Sequence, residues 1–232
     1  MNTAYVLCNP TYEVERFTFL QDHLKARGIT TVHWTYGPWG SEIISEEYFK
    51  VYDPFIDRFG VGRALTFKSA GLLKAEVSLA IAMWKAYDAA ATSPGSDDDP
   101  ILVLESDVVL REDFQERMRD VLKGLEGKAW DYVSLGEGAS TRPLNRNCFS
   151  SYFGPNEIVK MPNAFCFRCT DSMLFRRGFC KKLRETFLPI RECTDWWMNI
   201  QATLHKAECY WVDPPIVEQG SNRLRVKSLL PS

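Results

Sequence analysis

No apolar run in this chain approaches the roughly 20 residues that a helical membrane span requires, so no membrane span is expected. Charge of one sign is also missing: the net charge is −2 and the pI is near 6.0. Without a basic stripe there is no nucleic-acid footprint. There is no G-x-G-x-x-G and no G-K-[ST], which argues against a dinucleotide-binding domain and a P-loop. Histidine is scarce, with only His23, His33 and His205. The seven cysteines are odd in number and scattered. Cys166 and Cys169 make one C-x-x-C, but no second pair stands at zinc-finger spacing, so structural zinc and thioredoxin-like redox chemistry are disfavoured. Reduced, packed thiols are expected instead, and with them a reducing, cytoplasmic compartment. The start, Met1-Asn-Thr-Ala-Tyr-Val-Leu-Cys8, runs into a predicted strand without the pattern of a signal peptide.

What is present suits one large α/β domain. Apolar residues make up 45% of the 232 and aromatics 13%, enough for a substantial core. A strand over 4–8, a helix over 12–26 capped by Thr11 and closed by Gly28, and a strand over 30–34 form a βαβ opening. Its two strand-end turns, Asn9-Pro10-Thr11 and the turn beginning at Tyr36, would meet along one edge, where such sheets take nucleotides. Residues 37–66 read as loop with short helices. The best helix is 72–91, with Val77, Ile81, Trp84 and Tyr87 as its apolar stripe. Lys74, Glu76 and Ser78 in its first turns either face a ligand or are ordinary surface. The acid run 97–99 reads as solvated. Further helices are predicted over 112–125, 173–187 and 194–205, and strands over 131–135, 163–168 and 209–212.

The most informative stretch is Ile101-Leu-Val-Leu-Glu105-Ser-Asp107. A short unbroken apolar run between helical patterns reads as the central strand of the sheet, buried on both faces. Glu105 and Asp107 stand at its carboxyl end, where open α/β sheets bind ligands, and alternate residues of a strand face the same side. Paired carboxylates there suit a hard divalent cation, Mn²⁺ or Mg²⁺, bridging to a diphosphate. The alternative is that both acids cap the following helix or are merely solvated.

Five fragments in order resemble the glycosyltransferases of family twenty-five, which include bacterial lipooligosaccharide galactosyltransferases and collagen galactosyltransferases. They are the strand and acidic motif running on to Phe114, Trp130-Asp-Tyr-Val-Ser-Leu-Gly136, Arg176-Arg-Gly-Phe-Cys-Lys-Lys-Leu183, Thr194-Asp-Trp-Trp197, and Tyr210-Trp-Val-Asp-Pro-Pro-Ile-Val-Glu-Gln219. The family usually has three acids where this chain has Glu105-Ser106-Asp107, and its Gly-Glu-x-Gly-Cys and Ser-His are replaced by Leu72-Leu-Lys-Ala-Glu76 and Leu79-Ala80.

The resemblance implies a GT-A-type, Rossmann-like nucleotide-sugar-binding fold with a mostly parallel central sheet flanked by helices. It further implies a single domain over 1–232, with a nucleotide-sugar half at 1–107 and an acceptor half with a closing segment at 108–232. The implied reaction is inverting transfer from a nucleotide-sugar, expected to be a UDP-sugar, to a glycan or glycoprotein acceptor. Glu105 and Asp107 would hold the metal. Gln219 is the candidate third ligand, because some relatives use a histidine near that point; a core or capping role is its alternative. Donor contacts would come from Asn9, Pro10, Thr11, Tyr36, Lys74, Ser78, Ser106 and Gln219. The basic tail Arg223, Arg225 and Lys227 either serves the diphosphate or is solvated. Asp195 is the candidate base for the acceptor hydroxyl, or else a capping carboxylate, with Glu192 and Asp171 as weaker choices and Trp196 or Trp197 as a sugar platform. A non-catalytic nucleotide-sugar-binding or interaction module of the same fold is the second expectation.

Overall fold

The computed structural model describes residues 1–53, 71–136, 155–161 and 169–223. Its opening is the expected βαβ: β1 (Thr3–Leu7), α1 (Val14–Ala26) and β2 (Thr31–Thr35), with β1 and β2 parallel. Thr11 does not cap α1. Its own N–H instead donates to Asn9 Oδ1 at 3.0 Å, and the helix starts three residues later. Val14, the first residue of the helix, is exposed, while Leu20 and Leu24 are fully buried. Gly28 ends the helix with φ +77°, in the left-handed region that favours glycine.

A 3₁₀ turn (Gly40–Glu42) and α2 (Ser45–Val51) lead towards α3 (Lys74–Thr92), β3 (Pro100–Glu105), β4 (Val108–Leu110), α4 (Phe114–Leu125) and β5 (Tyr132–Ser134). Then come β6 (Glu157–Lys160), β7 (Ser172–Arg176), α5 (Arg177–Thr186), α6 (Thr194–Leu204), β8 (Cys209–Asp213) and β9 (Val217–Gln219). Seven strands form one mixed sheet in the order β2-β1-β3-β7-β5-β8-β6. Five of them (β1, β2, β3, β5 and β8) run one way, and β6 and β7 run against them. This is a mostly parallel α/β sheet flanked by helices, compatible with a Rossmann-like fold.

Side-chain alternation divides the core in two. Tyr5, Leu7, Ile101, Val103, Met173 and Phe175 project to one face, against Met83 and Tyr87 of α3, Phe179 of α5 and Trp197 of α6. Ala4, Val6, Leu102, Leu104, Leu174 and Val133 project to the other, against Leu20 and Leu24 of α1 and Phe114, Met118 and Val121 of α4. On α3 the alanines Ala80, Ala82, Ala86 and Ala90 are buried, while Ile81 and Trp84 of the expected stripe are only partly so. Small side chains let that helix lie close to the sheet.

Three sequence expectations are corrected here. The middle strand is β7, not β3. Residues 172–176, read as part of a helix over 173–187, are extended between β3 and β5, and α5 begins only at Arg177. The acid run is not merely solvated: Asp97, Asp98 and Asp99 pair with Lys181, Arg176 and Arg177 at 2.6, 2.8 and 3.3 Å. Residues 157–160 form the edge strand β6. The strand expected over 163–168 lies outside the described residues. No helix among the described residues is long and apolar enough to cross a membrane.

Beside the sheet, β4 pairs antiparallel with β9, opposing Val108 to Gln219. His23 of α1 supports this ribbon by accepting the Leu110 N–H on Nε2 at 2.8 Å, which requires an unprotonated Nε2. Burial, then the charge of Arg27, holds the imidazole down to about 4. The unfolded chain therefore binds the extra proton between about pH 6.5 and 4, so this contribution is full above that window and lost as pH falls through it. We expect His23→Gln, whose amide oxygen can accept the same N–H, to remove about 1–2 kcal/mol of acid sensitivity after allowance for solvent screening. Urea unfolding of both proteins at neutral pH and near pH 4 checks this; parallel losses would refute it.

Candidate active site

The end of β3, the turn after β1 and the end of β9 converge on one cavity of about 280 Å³. Glu105 is tied down twice. Its N–H donates to the Asp171 carbonyl at 2.8 Å, and its Oε1 accepts the Thr170 hydroxyl at 2.6 Å. Asp107 is buried, and its Oδ1 has no hydrogen-bond partner among the described residues. The Gly220 N–H donates to the Asp107 carbonyl at 2.6 Å, which draws the closing segment onto the acidic turn. Gln219 thereby reaches the cavity wall, where its Oε1 also receives the Cys169 thiol at 3.8 Å.

Ser106, between the two acids, is held from α1. Its hydroxyl donates to Glu13 Oε1 at 2.6 Å, and Arg16 Nη1 donates to Ser106 Oγ at 2.7 Å. Glu13 in turn accepts the Asn9 N–H at 2.7 Å, fixing the turn after β1.

The rest of the lining has no charged side chain. It includes Tyr36, Gly37, Trp39 and Gly40, with Ala75, Ser78 and Leu79 of α3, and Gly37 and Gly40 approach Ser78 and Ala75 closely. Gly37 is required there, because a Cβ at this position would lie 2.3 Å from the Ser78 carbonyl oxygen. Lys85 donates to the Tyr36 carbonyl at 2.9 Å, and Tyr12 stacks on Trp39 with ring centroids 4.8 Å apart. The cavity lining thus combines the acidic turn with the aromatic side chains of Tyr36 and Trp39.

Of the residues expected to contact a donor or metal, Asn9, Tyr36, Ser78, Glu105, Ser106, Asp107 and Gln219 line this cavity. Pro10, Thr11 and Lys74 are not among the lining residues. The Lys74 ammonium donates instead to the Ile43 carbonyl at 2.6 Å. Glu76 caps its own helix through the Leu73 N–H at 2.7 Å. Arg223 ends the 3₁₀ turn Gly220–Arg223, and its side chain, with Arg225 and Lys227, lies outside the described residues.

Burial raises the Glu105 carboxyl to about 8, reinforced by the charge of Asp107 and then of Asp171 and Asp195, and opposed by the Thr170 hydrogen bond. Two acids pushed together, one with a bare buried oxygen, suit a cation. Among the described residues no group of three or more His, Cys, Asp or Glu could hold a metal ion. A cation here would therefore rest on Glu105, Asp107, the Gln219 amide, water and ligand oxygens. That is how Mg²⁺ is commonly held, through one or two carboxylates and substrate phosphates, so the residues fit the group.

Asp195 does not line the cavity, although it is close enough to raise the Glu105 carboxyl. It stands in the first turn of α6, where Cys193 rather than Thr194 is the N-cap residue. One carboxylate oxygen accepts the Trp196 N–H at 2.8 Å and the Cys193 thiol at 3.1 Å. Burial is the largest influence on this carboxyl and raises it, against those hydrogen bonds. The weaker alternatives are occupied structurally. Glu192 is fully buried and accepts the Cys193 N–H, and Asp171 is buried against Gly136, where a Cβ would lie 1.9 Å from its Oδ2. Trp197 belongs to the core and donates to the Phe187 carbonyl at 2.6 Å, while Trp196 is half-buried.

Sequence reasoning missed Glu13, Arg16 and Thr170. Glu13 and Arg16 form an i, i+3 ion pair at the start of α1, and only the packing of α1 against Ser106 singles them out. The five cysteines among the described residues, Cys8, Cys169, Cys180, Cys193 and Cys209, are free thiols. No family model matches this chain, and no curated protein is significantly similar to it.

Proposed function

We propose that this chain is a metal-dependent inverting glycosyltransferase of GT-A type, moving a sugar from a UDP-sugar to a hydroxyl of a glycan or glycoprotein. The observation that carries this reading is the bare carboxylate oxygen of buried Asp107 in a cavity lined also by Glu105, Tyr36 and Trp39. Tyr36, Ser78 and Asn9 bound a slot for a nucleoside, and the diphosphate then reaches the acidic turn. Asp107 and Glu105, with Gln219, hold the cation. The chemistry Mn²⁺ or Mg²⁺ supplies when bound is neutralisation of the departing diphosphate. Asp195 takes the proton of the acceptor hydroxyl, and Trp196 offers a ring face to the acceptor sugar. Arg223, Arg225 and Lys227 follow directly on the turn held by Asp107 and are placed in sequence to cover the diphosphate. The free thiols fit the reducing, cytoplasmic compartment expected from cysteine usage.

A second reading, a nucleotide-sugar binder without transfer activity, is favoured by the position of Asp195 outside the cavity lining. A thermal-shift panel of nucleotide sugars with and without Mn²⁺ tests the site. A Mn²⁺-dependent rise in melting temperature with UDP-sugars is expected, and no shift with any of them would overturn the proposal. Slow Mn²⁺-dependent hydrolysis of the same donor separates enzyme from binder.

A further inference from the structure

Arg16 is the one lysine or arginine among the described residues lining the cavity, where Glu13, Glu105 and Asp107 are the acids. Its side chain is only 11% exposed, as is that of Glu13, and the two stand 3.6 Å apart. A guanidinium so placed, with Nη1 on Ser106 Oγ at 2.7 Å, is held at the acidic turn and lines the same cavity as Asp107. Two of its partners keep other bonds. Ser106 has a second bond, to Glu13 at 2.6 Å, and Glu13 has a second bond, to the Asn9 N–H at 2.7 Å. Neither group is stranded when Arg16 turns away.

An anion entering this cavity meets three carboxylates, and the cation held by Asp107 offsets only part of that repulsion. A planar guanidinium beside it can offer paired N–H donors to phosphate oxygens. We propose that Arg16 binds the diphosphate of the nucleotide, exchanging its Ser106 and Glu13 contacts for phosphate oxygens. This deepens, and rests on, the nucleotide-sugar reading of the same cavity. It also moves the principal phosphate contact from the basic tail to α1.

Isothermal titration of UDP and of uridine, each at saturating Mn²⁺, and of Mn²⁺ alone, tests this on wild type, Arg16→Gln and Arg16→Lys. For Arg16→Gln we expect UDP to weaken by about tenfold or more, with uridine and Mn²⁺ alone each within about threefold of wild type. Arg16→Lys, which keeps the charge but loses the fork, should recover part of the UDP affinity and serves if the glutamine variant does not fold. Unchanged UDP affinity in either variant would overturn the role of Arg16 alone. So would equal losses of UDP and uridine, which would mark Arg16 as a brace of the pocket. If wild type binds neither UDP nor Mn²⁺, the functional reading fails and this inference fails with it.

Discussion

Asp107→Asn is expected to abolish Mn²⁺-dependent binding of UDP, raising its dissociation constant by about a hundredfold or more, while the fold is kept. Asparagine conserves the shape, so the Gly220 N–H can still donate to the residue 107 carbonyl and the β4–β9 pairing need not change. What disappears is a full negative charge at a buried oxygen that has no other partner among the described residues. The metal-free protein should not suffer. Burial and the Asp107 charge, in that order, raise Glu105 to about 8. The native state therefore binds the extra proton between about pH 4.5 and 8, and stability is full below that window and declines as pH rises through it. Removing the neighbouring charge lowers the folded value and shortens the decline. In metal-free buffer the variant should then melt at or above the wild-type temperature near pH 8. Titration of UDP with and without Mn²⁺, together with melting curves, checks both halves. Wild-type affinity in the presence of metal would remove the acidic turn as the cation site.

Some of this arrangement was legible in the chain and some was not. The apolar run 101–104 announced a buried strand with paired carboxylates at its carboxyl end, because a short unbroken apolar run between helical patterns reads as a strand buried on two faces. β1, α1 and β2 were legible from local period and turn chemistry. The strand β7 was not, because Met173-Leu-Phe is short, apolar and continuous with a helical pattern. Its extension is decided by hydrogen bonding to β3 and β5, which no local signal reports. The β4–β9 ribbon escaped notice for the same reason: three residues paired across more than a hundred in sequence have no period to betray them. That ribbon is what brings Gln219 to Asp107. Gln219 could be named from the resemblance alone, whereas Arg16 required the packing of α1 against Ser106. Lys74 illustrates the converse. Its position at the start of α3 invited a ligand role, yet the neighbouring Ile43 carbonyl is within reach of its ammonium.

For Asp195→Asn we expect sugar transfer to fall by about 10²–10⁴-fold, the range set by loss of a positioned base, with UDP and Mn²⁺ binding within about threefold of wild type. The carboxylate does not line the cavity, so its loss should leave a donor bound there in place. It is also well suited to take up a proton. Burial raises it and so increases its basicity, while the Trp196 N–H and Cys193 thiol engage one of its two oxygens. Asparagine can keep the contact to the Trp196 N–H, and thus the first turn of α6, but cannot accept the proton. A separation of the two readouts is therefore the diagnostic result. Loss of donor binding together with transfer would mean that Asp195 acts through the shape of the site, by its effect on Glu105. Transfer at the wild-type rate would leave the acceptor proton to another group. Single-turnover transfer from a UDP-sugar to a soluble glycan, run beside titration of UDP, distinguishes the three outcomes.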